Sequence, residues 1–288
     1  MPLSKLPYLL PIAGLLTIPQ AAQAEQKVLI IGIDGCRGDA LLEAATPNLD
    51  SLWEGGAYSW QARTSFPSSS GPGWSSMLTA TWPDKHHVLG NDFRAPNFDA
   101  FPHFFTRLEE VEPEAFTVSV VHWSPINTEI LDTADVVRTG LSDADVAFET
   151  AELLAEADPD VVFVHFDDVD GAGHGHGFSP YVAEYLRAIE VVDEHIGRLL
   201  DSVQSRPTYE DEEWLIMVSS DHGGLLTGHG GPSDREMNSF LIINSPRSIP
   251  GPIEGPSFVV DVPATAFDFL DLEVDPEWRW DGASVGLL

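Results

Sequence analysis

Three short segments of this 288-residue chain bring carboxylates and imidazoles close together. Asp170-Gly-Ala-Gly-His174 spaces the two ligand types four residues apart in a glycine-rich turn, and Asp221-His222-Gly223-Gly224 sets them side by side. Thr227-Gly228-His229-Gly230-Gly231 adds a third histidine in a loop free to approach the others, and Asp34 stands alone after an apolar run. Taken singly, each Asp-His pair reads as a local hydrogen bond. Gathered at one edge, the carboxylates would repel one another, and divalent cations resolve that conflict. Mixed His/Asp ligation suits zinc, with manganese or iron as alternatives.

A nucleophile candidate lies upstream. Ser68-Ser69-Ser70-Gly71-Pro72-Gly73-Trp74 runs from small residues into a short apolar helix ending near Thr79. A serine at that helix start has its oxygen near free backbone N–H groups and the positive end of the helix dipole, which favour an alkoxide and an anionic substrate. Nothing local separates Ser70 from its two serine neighbours.

These residues need elements to position them. Val28–Ile33, Phe116–Trp123, Val161–Phe166, Trp214–Ser219 and Phe240–Ile243 are continuous apolar runs, as expected of parallel strands covered on both faces. Ser142-x-x-Asp145 is a capping box that predicts a helix to Glu156. Ser179-Pro180 predicts the start of another, whose apolar stripe runs Val182, Tyr185, Leu186, Ile189, Val192, Ile196, Leu199, Leu200. Alternating strands and helices imply a three-layer α/β/α sandwich with a mostly parallel central sheet. Ligands of such sheets bind beyond the carboxyl ends of the strands, where Asp34, Asp167, Asp168, Asp170 and Asp221-His222 fall. The segments 204–213 and 245–257 read as surface loops that do not split the chain. The expectation is one catalytic domain over residues 25–288.

Composition narrows the function. A formal net charge of −32 argues against gripping nucleic-acid polymers or anionic lipid. It suits a saline setting, where self-repulsion is screened, and equally an ordinary acidic exported protein. Cys36 is the only cysteine, which excludes an intramolecular disulfide and a cysteine-based zinc cluster. Lys5, the apolar stretch Leu6 to Ile18 and Ala22-Gln23-Ala24 have the pattern of a secretory leader cleaved after Ala24. The apolar run is short and broken by prolines, so no membrane anchor is expected, and a periplasmic or secreted location follows.

With these pieces in order, the sequence resembles the alkaline phosphatase superfamily, in particular its type I phosphodiesterase/nucleotide pyrophosphatase branch. Val28–Asp34 is similar to the first metal-ligand strand, Ser70 to Thr79 to the nucleophile helix, and Trp82 to Asn91 to the segment ending in the transition-state asparagine. The last helix and closing strand correspond to Val260–Thr265 and Asp281-Gly282. The resemblance implies two divalent ions, one on Asp34, Asp221 and His222, the other on Asp170, His174 and His229. It implies Ser70 as the nucleophile that forms a phosphoryl-serine on a small phosphate-ester substrate. It implies Asn91 as a donor to a phosphoryl oxygen.

Three positions depart from the branch: serine replaces the usual threonine nucleophile, Gly224 the usual methionine, and His87 a usual glycine. Ser70-Gly71-Pro72-Gly73 also follows the sulfatase pattern until Trp74, where sulfatases carry arginine. The leading expectation is hydrolysis of phosphodiester or nucleotide pyrophosphate bonds. The alternatives are a phosphomonoesterase or phosphonate hydrolase on the same site, and a catalytically dead metal- and anion-binding protein. His165, Asp167, Asp168 and His176 read as groups behind the ligands or at the surface. Arg63 and Arg94 read as salt-bridge partners, and Trp82, Trp278 and Trp280 as packing.

Overall fold

Val28 and Ile30 pack into one buried core, while Leu29, Ile31 and Ile33 pack into another. A strand with both faces covered is apolar at every position, which is why its run does not alternate. This strand is the middle of the molecule. The computed structural model describes residues 24–288, so the expected leader lies outside the described residues apart from Ala24.

In chain order the elements are β1 (Glu25–Ile33), α1 (Gly38–Leu41), α2 (Pro47–Gly55), β2 (Ala57–Arg63), α3 (Ser70–Thr79) and α4 (Pro83–His86). Then come α5 (Phe104–Val111), β3 (Thr117–Val121), β4 (Val136–Thr139), α6 (Asp143–Glu156), β5 (Val161–Phe166), α7 (Asp168–His176) and α8 (Ala183–Gln204). β6 (Glu212–Ser219), β7 (Asn238–Asn244), β8 (Gly251–Pro252) and α9 (Asp261–Phe269) follow. The strands form one sheet in the order β4-β3-β5-β1-β6-β7-β2-β8. From β4 to β6 neighbours are parallel, and β7 runs antiparallel to both β6 and β2.

One face is covered by α1, α2, α6 and α8 through Leu41, Leu49, Val146, Ile189 and Ile196. The other is covered by α3, α5 and α9 through Trp74, Phe104, Phe105 and Phe267. The expected three-layer sandwich with a mostly parallel sheet is the observed architecture. Ile33 pairs with Phe166 and Gly32 with Ser219, so β5, β1 and β6 end side by side. The chains that leave them carry Asp170, Asp34 and Asp221.

The differences from expectation are local. The Phe116–Trp123 run yields only five strand residues. α8 begins at Ala183, not at Ser179-Pro180. Ser179 is spent on a turn, its hydroxyl accepting from the Tyr181 N–H and its carbonyl from the Val182 N–H. β2 was hidden by its polar residues, Ser59, Gln61 and Arg63, and by a bulge between Ser59 and Ala62. Segment 245–257, expected as loop, contributes β8 to the sheet edge. The supposed glycine-rich turn from Asp170 to His174 lies inside helix α7.

Candidate functional site

α7 puts Asp170 and His174 on one face, because residues four apart stack along a helix. Asp170 Oδ2 is 3.2 Å from His174 Nε2. The helix has no cap from its own N-cap side chain. Asp143, at the start of α6, replaces one: its carboxylate accepts from the Asp167 and Asp168 N–H groups, and from His122 Nδ1 at 2.7 Å. A carboxylate there also suits the positive end of the helix. The capping box that starts α6 is present as expected, with Ser142 accepting from the Asp145 N–H.

Ser70 is the first residue of α3. Its Oγ is 3.4 Å from His222 Nε2. His222 Nε2 is also 3.4 Å from Asp34 Oδ1 and 3.3 Å from Asp221 Oδ2. Behind it, His174 Nε2 faces His229 Nε2 at 3.1 Å, with Asp170 Oδ1 3.6 Å from the latter. The His222 and His229 rings stack with centroids 4.0 Å apart, so the two groups adjoin. The structure therefore brings together all six expected ligands and Ser70. Asn91 adjoins them: its Oδ1 accepts from the Gly71 N–H at 2.8 Å, which leaves its amide nitrogen as the donor end of the group.

The donor set fits divalent ions. Each histidine has Nδ1 on a backbone carbonyl: Gly223 for His222, Thr227 for His174 and Ser68 for His229. A carbonyl only accepts, so each neutral ring carries its proton on Nδ1 and presents a lone pair at Nε2. Three lone pairs then converge with three carboxylates. Asp34 Oδ1, Asp221 Oδ2 and Asp170 Oδ1 are buried without a hydrogen-bond partner among the described residues. Orphaned buried oxygens carry a substantial desolvation cost unless something positive meets them. Asp34, Asp221 and His222 offer ligand atoms within 4.8 Å of one another, and so do Asp170, His222 and His229.

The electrostatics agree. Burial, then the neighbouring Asp221, raises the Asp34 carboxyl to about 7. Burial, then Asp34, does the same to Asp170. Burial raises Asp221 well above the ordinary carboxylate range and lowers His229 to about 3. A site whose buried carboxyls resist ionisation is completed by cations held among them.

The loops are sewn together from behind. Arg37 donates to the carbonyls of Phe178 and Gly224 and pairs with Asp39 at 2.6 Å. Tyr185 donates to the Gly35 carbonyl at 2.5 Å. The buried Phe178 ring lies against Gly173 and Gly224, where an added Cβ would meet it at 2.3 and 2.2 Å. The same ring packs edge-on to His174 and His229. That close approach leaves no room for a side chain at Gly224.

The sequence model of the type I phosphodiesterase / nucleotide pyrophosphatase family matches residues 28–134 and 101–228, well over half of the chain. The chain belongs to that family. An uncharacterized pyrophosphatase/phosphodiesterase of Schizosaccharomyces pombe is 28% identical over 221 residues, covering 69% of this chain and 45% of its own length. Murine ectonucleotide pyrophosphatase/phosphodiesterase 5, an inactive variant in complex with AMP, superposes with a TM-score of 0.69 at 15% identity. The alignment covers 88% of this chain and 96% of the murine one. A 2-O GAG sulfatase gives 0.72 at 13% identity over 90% and 73% of the two chains. These structures share the alkaline-phosphatase-like fold.

Within the family chain several polar residues have other work. Arg63 pairs with Asp234 and Arg94 with Asp92. His86 is buried against Ser76 Oγ at 3.0 Å, and burial lowers it to about 3. Trp278 packs on Phe267 and Trp280, and Trp82 on Phe258. Cys36 is buried and its thiol is pushed up by burial. One contributor, Trp74, was not nominated from the sequence, and another, His165, was read there only as a group behind the ligands or at the surface. Trp74 Nε1 donates to Asp34 Oδ2 at 2.8 Å, and His165 Nε2 lies 3.1 Å from the same oxygen. Trp74 stands one helical turn after Ser70, which was the available signal. His165 faces Asp34 only because β5 is paired with β1.

Proposed function

We propose that the protein is an exported, metal-dependent phosphoesterase that hydrolyses phosphodiester or nucleotide pyrophosphate bonds through a phosphoryl-serine at Ser70. The observation that carries this reading is the convergence of Ser70 Oγ, His222 Nε2 and the unpartnered Asp34 Oδ1 and Asp221 Oδ2 on one small space. Asp34, Asp221 and His222 would hold one divalent ion, and Asp170, His174 and His229 a second. Such a pair, when bound, supplies Lewis-acid charge that clamps the attacking and leaving oxygens and neutralises developing charge.

The chain's own groups do the rest. Ser70 Oγ sits at the N-terminal end of α3, where N–H groups favour its deprotonated form. Its oxygen forms a bond to phosphorus as the bond to the leaving oxygen breaks. Water then forms a bond to phosphorus, the bond to Oγ breaks, and the serine regains a proton. Asn91 Nδ2 donates to a phosphoryl oxygen, a contribution of about 3 kcal/mol in comparable sites. The leader-like sequence before Glu25 supports export. Among the described residues no helix is long and apolar enough to cross a membrane.

The test is hydrolysis of bis-p-nitrophenyl phosphate against p-nitrophenyl phosphate by the zinc-loaded protein, with Ser70→Ala alongside. A diester preference that falls by ~10³-fold or more in the variant, at unchanged zinc content, is expected. A monoester preference would move the protein to the phosphomonoesterase alternative. Turnover that survives the substitution would remove Ser70 from the mechanism.

A further inference from the structure

Asp34 is the ligand with the most constrained surroundings. One of its oxygens, Oδ1, is buried and without a partner. The other, Oδ2, receives two N–H groups, from Trp74 Nε1 at 2.8 Å and from His165 Nε2 at 3.1 Å. The carboxylate therefore cannot rotate freely between its two oxygens, because turning it would break both bonds at a fully buried position. Asp34 and His165 are each fully buried.

The tautomer of His165 is set from its other side. The backbone N–H of Trp123, just beyond β3, points at His165 Nδ1 at 3.4 Å. An N–H only donates, so Nδ1 must accept and the ring proton sits on Nε2, aimed at Asp34. The Trp74 indole, edge-on to the imidazole at 5.0 Å between centroids, closes the remaining space. Three strands are needed for this chain of contacts: β3 for the Trp123 N–H, β5 for His165 and β1 for Asp34. They are adjacent in the sheet in that order.

We propose that His165 is a positioning residue: with Trp74 it occupies Asp34 Oδ2 and so presents Asp34 Oδ1 as the ligand oxygen of the first ion. This rests on the functional reading above. The physical role is to fix a ligand's orientation before the ion arrives, and outer partners of this kind are worth ~10–100-fold in metal affinity. His165 touches neither substrate nor the reacting oxygen, so it acts only through Asp34.

Two amide variants separate this role from simple core filling. In His165→Asn the side-chain oxygen can still accept from the Trp123 N–H but nothing reaches Asp34. In His165→Gln the longer amide can still donate to Asp34 Oδ2 and the Trp123 contact is lost. Zinc is titrated calorimetrically into the chelator-stripped full-length mature protein and both variants, with Tm measured on each. Wild type is expected to bind two ions. His165→Asn should weaken one of them by ~10–100-fold and leave the other unchanged, and His165→Gln should recover most of that loss. Long-range proton–nitrogen NMR spectra of histidine-labelled, zinc-free protein should show the His165 proton on Nε2.

Equal affinities in wild type and His165→Asn would overturn the inference while two bound ions keep the functional reading intact. So would losses that follow Tm equally in both variants, or a proton found on Nδ1. A wild-type chain that binds no zinc would instead overturn the functional reading itself.

Discussion

Asp34, Asp221 and His222 stand at the ends of central strands and are fully buried, whereas Asp170, His174 and His229 come from a helix and a loop and reach solvent. The His174 side chain is 48% exposed. In the first set each oxygen or nitrogen not offered to an ion is tied to a protein N–H or carbonyl, as with Asp221 Oδ1 and the Gly35 N–H at 3.2 Å. The second set's histidines are likewise tied through Nδ1, to the Thr227 and Ser68 carbonyls, but the set is otherwise held by helix spacing, by Asp143 at the helix start and by the Phe178 ring. The contrast teaches that two similar ligand lists can be built to different stiffness. Buried charges interact strongly and tolerate little rearrangement, while exposed ones are screened.

The comparison can be broken most severely at Asp34. Asp34→Asn should remove the first ion and reduce turnover by more than the ~10–100-fold that follows loss of an outer partner. His174→Ala should weaken the second ion with a smaller loss of activity. Metal content per chain and initial rates on both variants decide it, and equal losses would erase the distinction.

Phe178 is next. Its removal to alanine should cost about 3–5 kcal/mol of stability by opening a cavity beside Gly173 and Gly224. Gly173→Ala should also destabilise, although alanine is the better helix former by ~1 kcal/mol, because its Cβ would meet the ring. Urea unfolding in chelator measures both.

Acidity sharpens the contrast further. Asp34 and Asp170 are each raised to about 7, so protons compete with ions there and zinc affinity should fall as pH drops through that value. In the ion-free fold the sign is opposite. A carboxyl held above its ordinary value of 3.8 binds a proton folded that it releases unfolded. Its stabilising contribution is complete below about 4 and lost as pH rises through about 7. Asp34→Asn in chelator should therefore gain stability relative to wild type between pH 5 and 8. No gain would mean that Asp34 is already ionised without an ion.

The smallest effect is expected far from both sets. Arg94 and Asp92 form an exposed pair 2.7 Å apart, and Arg94→Ala should change stability by no more than ~1 kcal/mol and leave turnover intact. A large loss of activity there would give Arg94 a part in holding the phosphate.

Much of this was open to reading in one dimension. A strand buried on both faces is apolar throughout, so β1, β5, β6 and β7 announced themselves, and with them the parallel sheet and the edge where Asp34, Asp170 and Asp221 emerge. The carboxylates and histidines lie beside those strands, so residue type and position marked them as candidate ligands, while their division into two sets and the choice of Ser70 over its serine neighbours came from the family resemblance. What stayed hidden depended on partners distant in the chain. β2 is half polar and is a strand only because β7 pairs with it. Asp170 to His174 is rich in glycine, which disfavours helix, and α7 forms there because Asp143 caps it and Phe178 needs the space above Gly173. Which nitrogen of each histidine is free, which oxygen of Asp34 faces the site and why His165 is buried beside it were decided by tertiary structure alone. Apart from His222, whose Nδ1 lies on the carbonyl of the next residue, those are relations with groups tens of residues away, and no local spacing encodes them.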